Sequence, residues 1–301
     1  MGADGIRIDL RPGGFSAFAE ADLAAGAVAL RWLGQAGFAL RTGGHLVLID
    51  PYLSDSLARK YAGKEFAHTR MMPVPVAPDA LPPVDVVFCT HRHSDHMDPG
   101  TLPLIARVHS DARFVAPRAE LASALSLGLP EDRIVTADAG ERLEPAPGLR
   151  ATVLASAHED LKQDAEGRHH FLGYVLDTEV GRIYHSGDCT PYPGLVESLA
   201  PLEIDLALLP VNGRDAFRRE RGAPGNMTFD EAIAICERAG VPHLVPHHFG
   251  MFAFNTVDVA ELRRAAALSH EVCVHIPDAN AWMMLHRAAD ATGRPTQGDA
   301  R

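Results

Sequence analysis

Four side chains of metal-binding type lie within six consecutive residues of this sequence. They are His91, His93, Asp95 and His96. Imidazole and carboxylate groups together are typical ligands of zinc, manganese and iron. Because alternate residues of an extended segment share a face, His91 and His93 can converge on one cation. Asp95 and His96 follow where the chain turns, so the spacing predicts that they face a second cation.

The elements around this run are suited to position it. Residues 84–90 (Val-Asp-Val-Val-Phe-Cys-Thr) form a run that favours a buried strand. Asp98 and Pro99 are typical of a helix N-cap and a first helical residue. The run is therefore predicted to be a loop between a strand and a helix.

Composition narrows the class of protein. Of the 301 residues, 47% are hydrophobic and 22% are charged, as in ordinary globular proteins. We find no apolar run long enough to span a membrane, no signal-peptide layout and no paired cysteines among the four, which predicts a cytoplasmic protein. The net charge of −11 argues against a nucleic-acid partner. A small anionic substrate remains compatible with that charge, because bound dications reverse the local sign. Homo-oligomer formation stays open.

Apolar patterning predicts an α/β fold. Successive strands are expected at 28–34, 37–41 and 45–50, followed by alternating helices and strands, which fits a layered α/β sandwich. We predict one domain over residues 28–287, preceded by an N-terminal extension (1–27) and followed by a disordered tail (288–301). Residues 54–83 are rich in proline and are predicted to form a flap over the pocket.

The run from His91 to His96 resembles the signature of the metallo-β-lactamase superfamily. That resemblance implies an αββα four-layer sandwich with a dinuclear metal site at one edge. The segments Trp32–Phe38 and Tyr184–Asp188 (Tyr-His-Ser-Gly-Asp) resemble one branch of it. This branch includes ascorbate-6-phosphate lactonase and the phospholipase D that cleaves N-acylethanolamine phospholipids. Many of its members carry His where this chain has Gln35, which is not one of the usual ligand positions.

The resemblance also implies a set of seven metal ligands. The first cation would be held by His91, His93 and His158, the second by Asp95, His96 and His248, and both by a bridging Asp188. Two divalent ions are expected, and this ligand set accepts manganese, zinc or iron.

Three neighbouring histidines remain as alternatives. His169 and His170 compete with His158, and His247 competes with His248. Asp50, which ends a predicted strand, is expected to hydrogen-bond a ligand histidine or to brace the ligand loop.

The expected activity is hydrolysis by a metal-bound hydroxide, oriented by Asp95 and Asp188 as catalytic residues. The resemblance implies a lactonase that acts on a phosphorylated sugar lactone. Four side chains are predicted to bind the anion, namely Asn212, Arg214, Arg70 and Tyr192. A phosphodiesterase of the phospholipase D type is the alternative. A nuclease is disfavoured by the net charge, and a di-iron redox protein by the lack of further carboxylate ligands.

Overall fold

Two β-sheets form the centre of the computed structural model, which describes residues 5–287. The predicted tail (288–301) lies outside the described residues. The strands, in chain order, are β1 (Ile6–Pro12), β2 (Val28–Gly34), β3 (Gly37–Thr42), β4 (His45–Ile49), β5 (Val86–Phe88), β6 (Arg113–Pro117), β7 (Ile134–Ala137), β8 (Arg142–Ala146), β9 (Leu149–Ala155), β10 (Leu172–Asp177), β11 (Arg182–His185), β12 (Leu206–Pro210), β13 (His243–His247), β14 (Cys273–Val274) and β15 (Ala281–Arg287). The helices are α1 (Phe15–Glu20), α2 (Ser56–Lys60), α3 (Leu102–Val108), α4 (Leu121–Ser126), α5 (Leu195–Leu199), α6 (Ala216–Glu220), α7 (Phe229–Ala239) and α8 (Val259–Ala266).

Each sheet combines antiparallel and parallel pairs. The first sheet has the strand order β1-β15-β2-β3-β4-β5-β6-β7, and the strands from β4 to β7 run parallel. The second has the order β14-β13-β12-β11-β10-β9-β8, and the strands from β11 to β14 run parallel. Because β10 is antiparallel to both β9 and β11, the carboxyl ends of β9 and β11 lie at the same edge as that of β13.

Strand β2 shows how the sequence divides between two cores. All seven of its residues are buried. Val28, Leu30 and Trp32 belong to the large core that joins the two sheets. Ala29 and Leu33 face the opposite way, into the core shared with α1, α3 and α4. A strand covered on both faces reads as a continuous apolar run, which is the pattern that predicted it.

Helices cover the second sheet as well. Buried residues of α5, α7 and α8 pack with strands β11 to β13 in the large core. Helix α7 begins at a capping box between Thr228 and Glu231 and ends before Gly240, whose φ is +73°. This capping pattern can be read in the sequence. The layers are therefore helix, sheet, sheet and helix, and the predicted αββα sandwich is confirmed.

Two segments carry more structure than the sequence pattern suggests. Within the predicted N-terminal extension, β1 pairs along its full length with β15 and forms an edge of the first sheet. Within residues 54–83, helix α2 and a short 3-10 turn at Pro78–Ala80 interrupt the loop. None of the helices in residues 5–287 is long and apolar enough to cross a membrane.

Candidate metal centre

The seven predicted ligands meet at one edge of the sandwich. They arrive on four loops, each directly after a strand: His91, His93, Asp95 and His96 after β5, His158 after β9, Asp188 after β11 and His248 after β13. This edge holds the carboxyl ends of the parallel strands, where α/β proteins commonly bind ligands. The sequence order of the candidates thus becomes a spatial cluster.

Asp188 lies between two groups of imidazoles, and each of its oxygens faces a different group. Its Oδ2 is 4.0 Å from Nε2 of His91 and 3.6 Å from Nε2 of His158. Its Oδ1 is 3.3 Å from Nε2 of both His96 and His248. A carboxylate with its oxygens divided in this way can serve two neighbouring cations.

The first group consists of three histidines arranged around an aromatic side chain. The ring centroids of His91 and His93 are 4.6 Å apart, and that of His158 is 5.2 Å from His93. Phe171 packs against all three rings, at 5.0 to 5.9 Å. Donor atoms of His91, His93 and Asp188 lie within 4.8 Å of one another, as a shared cation requires.

The second group consists of Asp95, His96 and His248. Oδ2 of Asp95 is 3.8 Å from Nε2 of each of the two histidines. Donor atoms of these three residues also lie within 4.8 Å of one another. His248 reaches the group from a left-handed backbone conformation with φ of +64°. Such conformations are uncommon for residues other than glycine and are often found at functional sites.

A fully buried carboxylate, Asp50, orients two of the histidines from behind. Its Oδ2 accepts hydrogen bonds from Nδ1 of His96 and from the hydroxyl of Thr90, both at 2.6 Å. The hydroxyl proton of Thr90 is thereby used, so Nδ1 of His91, 3.0 Å away, donates to the Thr90 oxygen. Both rings therefore turn Nε2 towards the cluster, and in His91 this nitrogen is unprotonated. The predicted bracing role of Asp50 is confirmed by these contacts.

The donor atoms of the cluster fit divalent cations. Within the part of the chain that the structure describes, Nε2 of His91, Nε2 of His96 and Oδ1 of Asp188 are buried and have no hydrogen-bond partner. Buried polar atoms are nearly always paired, so unpaired atoms on both sides of Asp188 indicate ligands in both groups. Imidazole nitrogen and carboxylate oxygen are the donors that zinc, manganese and iron share.

The protonation of the first group also suits metal binding. Burial, together with the positive charge of neighbouring imidazoles, lowers the pKa of His91 well below its usual value. The same causes lower the pKa of His93 to about 4. A neutral imidazole offers its lone pair to a cation without first losing a proton.

The pKa values of Asp188 and His96 are shifted in opposite directions. Burial alone would raise the pKa of Asp188, but the imidazoles of His248 and His96 outweigh burial and hold it well below its usual range. Burial alone would lower the pKa of His96, but the carboxylates of Asp188, Asp50 and Asp95 raise it well above its usual value. The carboxylates around His96 thus favour a positive charge at the second group, which is a proton when no cation is bound.

The competing histidines are engaged elsewhere. His169 bonds Asp138 at 2.8 Å, and His170 bonds Glu120 at 2.6 Å. These two contacts anchor the loop that also carries His158. His247 stacks on His185, with centroids 4.8 Å apart, in the buried layer behind the cluster. His158 and His248 are therefore the members of each alternative that face Asp188.

A pocket of about 620 Å³ opens over the cluster. Its floor includes His93, Asp95, His158, Asp188 and His248. The predicted flap contributes one wall, from Leu57 to His68, and residues 221–224 contribute another. An ion pair joins these walls, because Nε of Arg221 lies 3.1 Å from Oε1 of Glu65.

Several basic side chains line the rim of this pocket. Four basic side chains line it, and they are Lys60, Lys64, Arg92 and Arg221. Among the described residues, three acidic side chains line it, and they are Glu65, Asp95 and Asp188. Two of the four lie beside carboxylates, since Arg221 is 3.1 Å from Glu65 and Arg92 is 3.6 Å from Glu120. Lys60 and Lys64 thus supply most of the positive charge of the pocket lining, in a chain whose net charge is −11. The sequence left Arg92 open between substrate and solvent, and it did not single out the other three, since isolated surface cations carry no distinctive spacing.

The four side chains predicted to bind the substrate anion lie outside this pocket lining. Arg214 forms a bidentate pair with Glu231, at 2.6 and 2.7 Å. Asn212 donates to Oδ1 of Asn255 at 2.7 Å. Asn255, which does line the pocket, is the one member of this pair that faces it.

The other two are hydrogen-bonded to the backbone. The guanidinium of Arg70 donates to the backbone carbonyls of Tyr52, Ser54 and Met72, at 3.1 to 3.3 Å. The hydroxyl of Tyr192 donates to the carbonyl of Ala155 at 2.7 Å. These contacts hold the flap and the end of β9 in place. The basic side chains that line the pocket come from other positions.

Comparison with known proteins gives the family. The model of the beta-lactamase superfamily domain matches residues 45–249. A UPF0173 metal-dependent hydrolase of Myxococcus xanthus is 29% identical over 233 residues, which cover 75% of this chain and 72% of that protein. A UPF0173 metal-dependent hydrolase of Cupriavidus taiwanensis is 32% identical over 215 residues, 66% of this chain and 70% of that protein.

Among solved structures, an isothiocyanate hydrolase from gut bacteria of Delia radicum has a similar fold. The TM-score is 0.66 at 22% identity, and the match covers 84% of this chain and 97% of that one. At this identity the likeness concerns the fold alone. With the family model spanning most of the chain, the protein belongs to the metallo-β-lactamase superfamily of metal-dependent hydrolases.

Proposed function

We propose that this hydrolase uses two divalent cations and acts on a small anionic ester. The observation that carries the proposal is the division of Asp188, whose two oxygens face two separate ligand groups at 3.3 to 4.0 Å. His91, His93 and His158 would hold the first cation, and Asp95, His96 and His248 the second. Asp188 would touch both.

The side chains of the centre divide the chemical work. When bound, the cations lower the pKa of a coordinated water towards about 7 and polarise the bond to be cleaved. Asp95, which lines the pocket, is placed to accept a hydrogen bond from the attacking water and to orient it. Asp188 remains ionised because its pKa is held low by His248 and His96, against the opposing effect of burial. Its negative charge keeps the two ligand groups together.

The basic rim supports an anionic substrate. Lys60, Lys64, Arg92 and Arg221 surround the mouth, whereas the floor holds the carboxylates that the cations neutralise. Lys60 is held towards the pocket by its 3.3 Å contact with the hydroxyl of Ser94. Cations at the mouth of a concave site concentrate anions and steer them inward. A long nucleic acid is disfavoured, because the net charge of the whole chain is −11.

We propose a lactone that bears a phosphate or carboxylate group as the substrate class. Support for it comes from the segments Trp32–Phe38 and Tyr184–Asp188, which resemble the lactonase branch. A phosphodiester is the second candidate, because the same basic rim would bind it and the same centre would attack phosphorus. Within residues 5–287, the two ligand groups contain two carboxylates, Asp95 and Asp188, and no further one. This composition favours hydrolysis over di-iron redox chemistry.

A substrate screen tests this proposal. The protein, loaded separately with manganese, zinc and iron, would be assayed on sugar-phosphate lactones, neutral lactones and bis-p-nitrophenyl phosphate. We expect the highest kcat/KM on the anionic lactones. Faster turnover of the diester would contradict the lactonase assignment, and a preference for neutral lactones would contradict the role of the basic rim.

A further inference from the structure

Gln35 lies at the second ligand group although nothing in its residue type predicts this. It occupies the turn between β2 and β3 with a φ of +52° and is fully buried. Its backbone carbonyl accepts hydrogen bonds from the backbone N–H of His248 and from the indole of Trp32, both at 2.9 Å. The turn of the first sheet is thereby attached to the ligand loop of the second.

The side chain of Gln35 then enters the group itself. Its amide nitrogen is 2.9 Å from Oδ2 of Asp95 and 3.1 Å from Nε2 of His248. These are two of the atoms assigned to the second cation. The amide oxygen of Gln35, also buried, has no hydrogen-bond partner among residues 5–287. One end of the carboxamide therefore lies among the ligand atoms while the other end is unsatisfied.

The chemistry of the carboxamide decides which end suits a cation. The amide nitrogen has no free lone pair, whereas the carbonyl oxygen is a metal ligand in many proteins. A half-turn about the last side-chain torsion exchanges the two ends within the same volume. This rotation would place the oxygen between Asp95 and His248, where a positive charge stabilises it.

We propose that Gln35 is a further ligand of the second cation, through its carboxamide oxygen, because its amide group lies within hydrogen-bond distance of both Asp95 and His248. This inference rests on the proposed two-cation centre. It also gives the two positions different character. The first has three imidazoles, which favour zinc and iron, whereas the second gains a neutral oxygen, which suits manganese.

Metal titration of variants tests the inference without reference to activity. Metal-stripped wild type, Gln35→Leu and Gln35→Glu would each be titrated with Mn²⁺ by calorimetry. Gln35→Leu keeps the approximate shape and removes the oxygen, so we expect one of two affinities to fall by about 10-fold or more and the other to persist. Gln35→Glu keeps an oxygen and adds negative charge. We therefore expect its affinity for the second cation to equal that of wild type or to be higher.

The controls separate the possible failures. Gln163→Leu makes the same change at an exposed position whose amide contacts His169, and both affinities should be unchanged. Thermal melts establish that each variant is folded, and Gln35→Glu remains informative if Gln35→Leu is not. Unchanged affinities in Gln35→Leu would overturn the ligand role of Gln35. Weakening in Gln35→Glu would also overturn it, since the residue would then act as an N–H donor to Asp95. Binding of one ion by wild type would instead overturn the two-cation centre, and this inference with it.

Discussion

Charge balance makes a single carboxylate, Asp188, the residue of the centre that we expect to be most sensitive to substitution. It is almost fully buried, and its oxygens face four imidazoles, those of His91, His96, His158 and His248. Each of the two proposed cations depends on one of these oxygens. Asn at this position would keep the shape and remove the charge that both cations share.

Asp188→Asn is therefore expected to lose at least one cation and most of the activity. Loss of several kcal/mol of metal-dependent stabilisation corresponds to a fall in kcat of at least about 100-fold. Metal analysis of the purified variant and its kcat would be measured together. A variant that retains both cations and its activity would show that Asp188 does not bridge.

Asp50 acts at one remove, through the histidines that it orients. Asp50→Asn would replace the acceptor of the His96 and Thr90 hydrogen bonds with a group that also donates. Changes of this kind typically reduce metal affinity by about 10- to 100-fold. Asp9→Asn is a matched control, because Asp9 lies 3.7 Å from Nε2 of a histidine, His286, in the edge strands away from the cluster. Equal effects of the two changes on metal affinity would contradict the orienting role of Asp50.

At the scale of elements, the short loops after the strands determine the geometry. The Asp188 loop passes so close to the ligand strand that a Cβ on Gly187 would lie 2.7 Å from side-chain atoms of Thr90. Gly187 also has a φ of +62°. Only glycine satisfies both conditions, and the close approach brings Asp188 against the histidine loop.

Gly187→Ala should consequently damage the centre as well as the stability. The left-handed backbone alone costs about 1–2 kcal/mol, and the contact with Thr90 adds to that. Gly194→Ala imposes a similar backbone penalty at a φ of +94° with open space around it. We expect denaturant unfolding to show a loss in both variants, and metal titration to show weaker binding only in Gly187→Ala. Weaker binding in both would indicate a general effect of stability.

The walls of the pocket belong to the same scale, because they place the basic rim. Lys60 ends helix α2, and Arg92 lies between two proposed ligands, His91 and His93, with its side chain exposed. If both attract the substrate, Lys60→Gln and Arg92→Gln should each raise KM for an anionic substrate by about 5-fold, corresponding to about 1 kcal/mol. The effect should shrink at high salt. Arg150→Gln, an exposed cation outside the pocket, is the control. An unchanged KM in both rim variants would exclude steering by these cations.

Sequence reasoning reached the ligand loops because strand ends carry a local pattern. An apolar run followed by His or Asp can be recognised at β5, β9, β11 and β13 without knowing how the sheets pair. Edge strand β1 escaped prediction because its partner, β15, lies at the opposite end of the chain. Arg221, a basic side chain of the pocket rim, was not predicted for a similar reason. Arg221 reaches the pocket only because residues 221–224 fold back against the flap.

The predicted anion-binding residues show the limit of chemical type as a guide. Arg214 and Asn212 follow β12 at the correct edge of the sheet, and their types suit an anion. Both side chains are hydrogen-bonded to neighbours. Glu231 of the α7 capping box accepts from the guanidinium of Arg214, and Asn255 accepts from the amide of Asn212. Gln35 is the converse case. Its neutral side chain gave no reason to select it, yet it contacts Asp95 and His248.

On the scale of the whole molecule, the centre joins the two sheets. The loop after β5 belongs to the first sheet, whereas His158, Asp188 and His248 follow strands of the second. Cations held by both sets would stabilise the native packing of the sheets, because a ligand that binds only the folded state adds to its stability. The number of bound cations is therefore expected to affect both the stability of the fold and the hydrolytic activity.

Titration of metal-free protein with Mn²⁺, followed for both bound metal and hydrolysis of an anionic lactone, tests the two-cation account most directly. The account predicts two bound ions per chain, with activity absent before metal is added and complete only once the second ion is bound. Full activity with one ion per chain, or in the metal-free protein, would contradict it.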